Sequence, residues 1–359
     1  MKRTFPLLAL AILLSAGSHS QTNPFTLSQA ERDDLKNAIA TDSVMAQWAR
    51  EMPHPAAVYE DFKRDLWRSD SAWNYDQQHL QPLPDIGTTR RFELLPLIDR
   101  LTSDDSLLGE SGVSYLIRTD SATILYDVGA NARREDPSPL VRNMKRLGVS
   151  LGEIDFIVIS HPHSDHNGGV GEGSFALTRG RLDLPQIEVF IPTPMTYPGL
   201  NPVCRKEPTR IANGVATIGL IDCPLFIGST VEQALAVSVE GKGMVIISGC
   251  GHETLEKIVA RTESLFGHPP YGILGGFHLP TAETGRLNPI LKYVVTGRLP
   301  WKFLEAGDIV KIIDLLKRKH VRLVGISPHD SSDLTIDLFR KAFDDSYTNI
   351  AVGTKVTIP

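Results

Sequence analysis

From Arg91 onward the apolar residues fall in short runs cut by turn residues, a pattern of strands rather than of long helices. Strands are predicted at Phe92–Ile98, Ser114–Arg118 and Thr123–Val128, the last two joined by a Thr119-Asp120-Ser121 turn. A helix follows over Leu140–Leu147 and stops at Gly148. A strand over Asp155–Ile159 comes next, and short strands at Glu188–Ile191 and Val215–Ile218 sit among Pro- and Gly-rich connections. Ala234–Val239 and Met244–Ser248 pair through Glu240-Gly241-Lys242-Gly243. His252 is expected to open a helix through about Glu263. Strands at Tyr271–Leu274 and Val321–Ile326, helices at Gly307–Lys319 and Leu334–Phe343, and a terminal strand or two complete this region. Residues 23–86 differ, being polar and helix-prone. Ser28 and Glu31 form a capping box opening a helix to about Trp48. Pro53 and Pro55 interrupt, a second helix spans Ala56 to about Arg68, and Gln77–Gly87 reads as linker. The aromatic residues of these helices are expected to pack as a structural wrap.

Composition changes this picture only at the edges. The chain has 359 residues, is 42% apolar and 22% charged, and carries a net charge of −5. No Lys/Arg stripe runs along it, which argues against nucleic acid as a partner and leaves a small-molecule substrate. Lys2 and Arg3, the apolar run Phe5–Leu14 and the small residues after it read as an export signal cleaved between Gly17 and Gln21. That run is too short for comfortable spanning, so no stable membrane insertion is expected after cleavage, and the mature chain is expected to be periplasmic or secreted. The predicted organisation is a signal peptide over 1–20, a helical extension and linker over 21–88, and a catalytic domain over 89–359. Of the cysteines, Cys204 and Cys223 are candidates for a disulfide, and Cys250 is expected to be buried and unligated.

The chemistry is concentrated in Asp155–Gly169, DFIVISHPHSDHNGG. A strand delivers His161, His163, Asp165 and His166 within six residues, and imidazoles with a carboxylate are the donors that suit zinc and related metals. His161 and His163 can grip one ion, Asp165 and His166 a second. Two ions about 3.5–4 Å apart can hold a bridging hydroxide and polarise the bond it attacks. His278, after Gly275-Gly276-Phe277, is either a ligand or a group contacting substrate, where it can steady developing charge; Asp165 can also accept or pass a proton. His19, His54, His79, His268 and His320 have no companion ligands.

The motif His161-x-His163-x-Asp165-His166 after a strand resembles the signature of the metallo-β-lactamase-fold hydrolases. That resemblance implies an α/β fold, a four-layered αββα sandwich. It places an aspartate at the end of this strand, and Asp127, closing Ile124-Leu125-Tyr126-Asp127, is read as a residue that orients a ligand histidine or the loop. It adds His252 to the first metal with His161 and His163, and His329 to the second with Asp165 and His166. Two divalent ions are implied, zinc by default, with manganese or iron as alternatives. Glu232-Gln233-Ala234-Leu235, Gly249-Cys250-Gly251-His252 and Gly275-Gly276-Phe277-His278-Leu279 resemble one branch, known by 7,8-dihydropterin-6-methyl-4-(ribofuranosyl)-aminobenzene-5′-phosphate synthase. That branch closes on His-Cys-Thr-Gly, whereas this chain has His329-Asp330-Ser331-Ser332. The function expected is hydrolysis of an ester, lactone or phosphoester bond, with the branch's condensing activity as alternative. Phosphorylated pterin precursors are cytosolic, so an export signal favours the hydrolase. Di-iron electron transfer is disfavoured because such relatives place glutamate where His163 stands, and a zinc-stabilised binding module would need a closed coordination shell.

Overall fold

The computed structural model describes residues 24–358 apart from 84, 181, 183, 185 and 186, so the export segment expected at 1–20 lies outside the described residues. Two compact units appear, one ending at Asp61 and one beginning at Phe62. In the first, α1 (Gln29–Thr41) opens on the expected Ser28/Glu31 capping box. It ends well short of Trp48, because Asp42 turns its carboxylate onto the amides of Val44 and Met45 and starts a new helix, α2 (Ser43–Glu51). A third helix, α3 (Pro55–His79), passes Arg68 and takes in the start of the expected linker. Its later turns belong to the larger unit, where Trp73 packs against the core and the Ser69 hydroxyl bonds the Asp222 carbonyl at 3.3 Å. The larger unit therefore starts ahead of the composition change at residue 88. Among the described residues no helix is long and apolar enough to cross a membrane.

The larger unit continues with β1 (Phe92–Ile98), β2 (Ser114–Arg118), β3 (Thr123–Tyr126), α4 (Pro139–Arg146), β4 (Phe156–Val158), β5 (Glu188–Ile191) and β6 (Val203–Cys204). Then come β7 (Thr209–Ala212), β8 (Val215–Thr217), β9 (Ile221–Cys223), β10 (Thr230–Glu232), β11 (Leu235–Val239), β12 (Gly243–Ser248) and α5 (Leu255–Phe266). Last are β13 (Gly272–Gly275), α6 (Ala306–Arg318), β14 (Leu323–Ile326), α7 (Asp333–Phe343) and β15 (Val356–Ile358). One sheet has seven strands in the order β15-β1-β2-β3-β4-β5-β6; a second has six, β14-β13-β12-β11-β8-β7; and β9 and β10 pair as a small sheet of their own. The expected pairing of β11 with β12 is antiparallel, with Leu235 opposite Ile247. Cys204 and Cys223 do not form the disulfide considered: both are free, Cys204 exposed on β6 and Cys223 buried in β9.

Packing gives four layers. Tyr115, Ile124 and Tyr126 of one sheet meet Leu235, Val245 and Leu274 of the other in the central layer. The outer face of the first sheet carries α4 through Leu140 and Met144. The outer face of the second carries α5, α6 and α7 through Ile258, Ile312 and Phe339. This is the expected αββα sandwich, and each buried aliphatic side chain in it contributes about 1.5–3 kcal/mol. The strands β3-β4-β5-β6 run parallel, as do β12-β13-β14. Parallel strands open their loops at one edge, and such edges collect binding residues. Asp127, His161, Cys250, Gly276 and Ser327 all follow the carboxyl ends of these strands.

Candidate metal centre

β4 ends on Val158, and Ser160 and His161 follow with no exposed surface. Ser160 is held by Asp127: its amide and its hydroxyl donate to the two carboxylate oxygens, each at 2.7 Å. Asp127 is fully buried at φ 59°, a left-handed conformation that a non-glycine residue holds only when its surroundings fix it. The His166 Nδ1 lies 2.7 Å from the same carboxylate, and the His161 Nδ1 lies 2.9 Å from Ser160 Oγ. Because the Ser160 hydroxyl donates to Asp127, it accepts from His161, which puts the proton on Nδ1 and leaves Nε2 with a free lone pair. Asp127 thus contacts His166 directly and His161 through Ser160.

A second relay mirrors the first. Asp99, one residue past β1, accepts the Ser327 hydroxyl at 2.7 Å and the Tyr115 phenol at 3.0 Å. Ser327 Oγ lies 2.7 Å from the His329 Nδ1, so the His329 Nε2 is again the free nitrogen. The loop after β12 is fixed differently. The buried Glu232 carboxylate accepts the amides of Cys250, Gly251 and His252 at 2.9, 3.0 and 2.8 Å. This cradle keeps His252 out of the helix it was expected to open; α5 begins only at Leu255, capped by Thr254. A β-carbon at Gly276 would collide with the Gly249 carbonyl and the His329 ring, so glycine is required there.

All of the expected ligands converge. The His161 ring stands 4.6 Å from His163, 4.2 Å from His166 and 5.0 Å from His252, centroid to centroid. His166 and His329 are 5.4 Å apart, and His278 lies 4.5 Å from His252. Cys250 is buried as expected, but among donors rather than apolar neighbours: Sγ is 3.1 Å from the His166 Nε2 and 3.3 Å from the His329 Nε2. Donor atoms group as Asp165, His166, Cys250 and His329; as His161, Cys250 and His252; as His161, His163 and Asp165; and as Cys250, His278 and Asp330. The His278 amide is tied to the Asp330 carboxylate at 2.7 Å. Sequence reasoning missed Ser160, Ser327, Asp99, Glu232 and the placement of Cys250.

The donor set fits divalent metal. The His161 Nε2 and both ring nitrogens of His252 and His278 are buried without a hydrogen-bond partner, an arrangement that costs free energy unless something binds there. Burial, reinforced by neighbouring histidines, lowers the pKa of His161, His252 and His329 well below 6.5, and that of His278 to about 4. These rings are neutral, the form that binds metal. Burial also lowers the pKa of His166, but Cys250, Asp165 and Asp127 outweigh it and hold it raised. Burial raises the Asp165 pKa and is likewise outweighed, chiefly by His166, so its carboxyl is ionised. Beside this centre lies a cleft of about 760 Å³ lined by His163, Pro162, Glu172, Asp222 and, from α3, Asp65 and Arg68.

The four-layered sandwich with a His- and Asp-rich centre at its strand ends defines the metallo-β-lactamase fold. A sequence profile of the Metallo-beta-lactamase superfamily matches residues 107–176. The chain is 25% identical over 256 residues to the 7,8-dihydropterin-6-methyl-4-(beta-D-ribofuranosyl)-aminobenzene-5'-phosphate synthase of Methanocaldococcus jannaschii. The match covers 58% of this chain and 85% of that protein. Among solved structures, the chain resembles Tm1679, a metal-dependent hydrolase of the beta-lactamase superfamily. That likeness has a TM-score of 0.51 and 20% identity, and covers 74% of this chain and 99% of the other.

Proposed function

We propose that the protein is a dinuclear metal-dependent hydrolase of a small molecule carrying an ester, lactone or phosphoester bond. The observation that carries this reading is the convergence of buried, partnerless imidazole nitrogens beside an open cleft. His161, His163 and His252 would hold one ion; Asp165, His166 and His329 the other, with the Cys250 sulfur reaching both donor sets. Two divalent ions, zinc by default, supply the Lewis acidity that lets water act as a nucleophile near neutral pH.

The chain's own residues supply the rest. The two Asp–Ser relays direct the Nε2 atoms of His161 and His329 inward, and Asp127 does so directly for His166, so little reorganisation is needed on binding. The Asp165 carboxylate, with Oδ2 3.6 Å from the His166 Nε2, is ionised and placed to accept a proton. His278 is neutral at pH 7, so a ring N–H can donate to an oxygen on which negative charge develops. The cleft brings substrate past His163 between α3 and the Glu172 loop.

Metal analysis of the chain and of His161→Ala, with turnover of lactone, thioester, phosphomonoester and phosphodiester substrates, tests this reading. Two metals per chain and turnover of one class, both reduced in the variant, are expected. Undiminished turnover by His161→Ala would defeat the assignment. The similarity to the synthase favours a second reading, condensation of a pterin with a phosphoribosyl aminobenzene. Product formation from those two precursors by metal-loaded protein that leaves the ester panel intact would establish it.

A further inference from the structure

A second cavity of about 700 Å³ adjoins the cleft at the metal centre. Ser69, Ala72, Thr193, Pro194, Asp222 and Val231 line both, so the two spaces lie on either side of the contact between the Ser69 hydroxyl and the Asp222 carbonyl. The second space follows α3 outward to Trp73 and Asp76, is bounded by Lys206, and reaches Arg261 of α5.

Arg261 is the unusual lining residue. Its side chain is 2% exposed, yet Nε has no hydrogen-bond partner. Its guanidinium lies 4.9 Å from the Trp73 ring centroid, which fixes its plane without supplying an acceptor. The contact with Asp76 is long, 3.5 Å through Nη2, and Asp76 itself is 59% exposed, so that ion pair is screened. Burial lowers the Arg261 pKa, and the nearby Asp76 and Glu253 carboxyls oppose that shift. A guanidinium presents five donors in a planar fork that matches an oxyanion, and a buried one normally has them met. Here the unmet Nε lies buried just behind the wall of an open cavity, whose lining carries a second cation, Lys206, among the carboxylates of Asp76, Glu207 and Asp222.

We propose that this cavity is an oxyanion subsite, in which Arg261 and Lys206 hold a carboxylate or phosphate at the far end of the substrate. The substrate is then an elongated, anionic molecule, its reacting bond in the His163 cleft and its charged end beyond Ser69. The placement of the reacting bond rests on the hydrolase reading; the binding of the anion does not. Specificity on this account comes from Arg261 of α5 and from Lys206, both outside the segment matched by the superfamily profile.

The test is calorimetric titration of the full chain with phenylphosphonate, a non-hydrolysable oxyanion, in metal-loaded and metal-depleted forms. One binding event is expected to survive metal removal, because it does not involve the metal ligands. Arg261→Met should weaken it at least tenfold, and Arg261→Lys should fall between the two. Leu220→Trp, which adds bulk to the cavity wall and leaves the guanidinium in place, should weaken it as well. If Arg261→Met fails to fold, Leu220→Trp decides alone. Absence of metal-independent binding, or binding unchanged in the folded variants, would overturn the proposal and leave Arg261 as a strut between α3 and α5. Binding is read without turnover, so a failed hydrolase assay does not touch it.

Discussion

Asp127 and Asp99 perform the same task on opposite sides of the metal centre, yet only one of them is visible in the sequence. Each is fully buried, each accepts a serine hydroxyl at 2.7 Å, and each serine lies within 2.9 Å of a ligand histidine's Nδ1. The differences lie in what else each carboxylate holds. Asp127 also takes the Ser160 amide and the His166 ring, so it organises two histidines. Asp99 takes the Tyr115 phenol and the Arg100 amide, and organises His329 alone. The same device therefore carries unequal weight.

The largest effect should come from removing the busier carboxylate. Asp127→Ala leaves the Ser160 amide, the Ser160 hydroxyl and the His166 Nδ1 without an acceptor in a buried pocket. Each such loss costs about 1–3 kcal/mol, so destabilisation of ~3 kcal/mol or more is expected, with loss of bound metal. Urea denaturation and metal analysis check it; a variant that keeps both metals and its midpoint would show that Asp127 is no organiser. Glu232→Gln should come next. Its amide group would face donors that the carboxylate now accepts, and weaker metal binding through the His252 loop is expected, with stability lower by about 1–3 kcal/mol. Equal metal affinity in titrations of the variant and the parent would contradict the cradle's role. The serines are the finer probe. Ser160→Ala and Ser327→Ala should each lower metal affinity about 10–100-fold, acting on His161 and His329 respectively. If competition with a chelator shows Ser160→Ala affecting both ions equally, the two relays are not separate.

What could be seen beforehand follows from distance along the chain. The strands Phe92–Ile98, Ser114–Arg118 and Glu188–Ile191 were legible to the residue because apolar runs and turn signals are local. Asp127 was legible because it closes a strand at the place where the resemblance expects an aspartate, although its partner Ser160 lies 33 residues on in a separate segment. Asp99 lies 228 residues from Ser327, and no local pattern joins them. Glu232 sits inside a segment that drew notice for its resemblance, but its grip on three amides needs the loop's shape. The end of α3 was misjudged because Ser69 and Trp73 find partners far along the chain, and those contacts carry the helix past Arg68.

The last of these effects is read through pH at Asp99. Burial, the dominant influence, raises the Asp99 carboxyl from 3.8 to about 7, against the opposing pull of Ser327, Tyr115 and Arg100. Unfolded, the same group loses its proton near 3.8, so between these values the folded chain holds more proton than the unfolded one. Stability then falls as pH rises through that window, and the contribution present below pH 3.8 is gone above about 7. The upper bound is on the order of 4 kcal/mol if the whole shift is expressed. Asp99→Asn removes the titration while keeping an oxygen for the Ser327 hydroxyl, so its stability should vary less with pH between about 4 and 7 than the parent's. Urea midpoints at matched pH values for the metal-free chains read this directly. Parallel curves for parent and variant would mean that Asp99 is ionised across the window, held by its hydroxyl and amide donors.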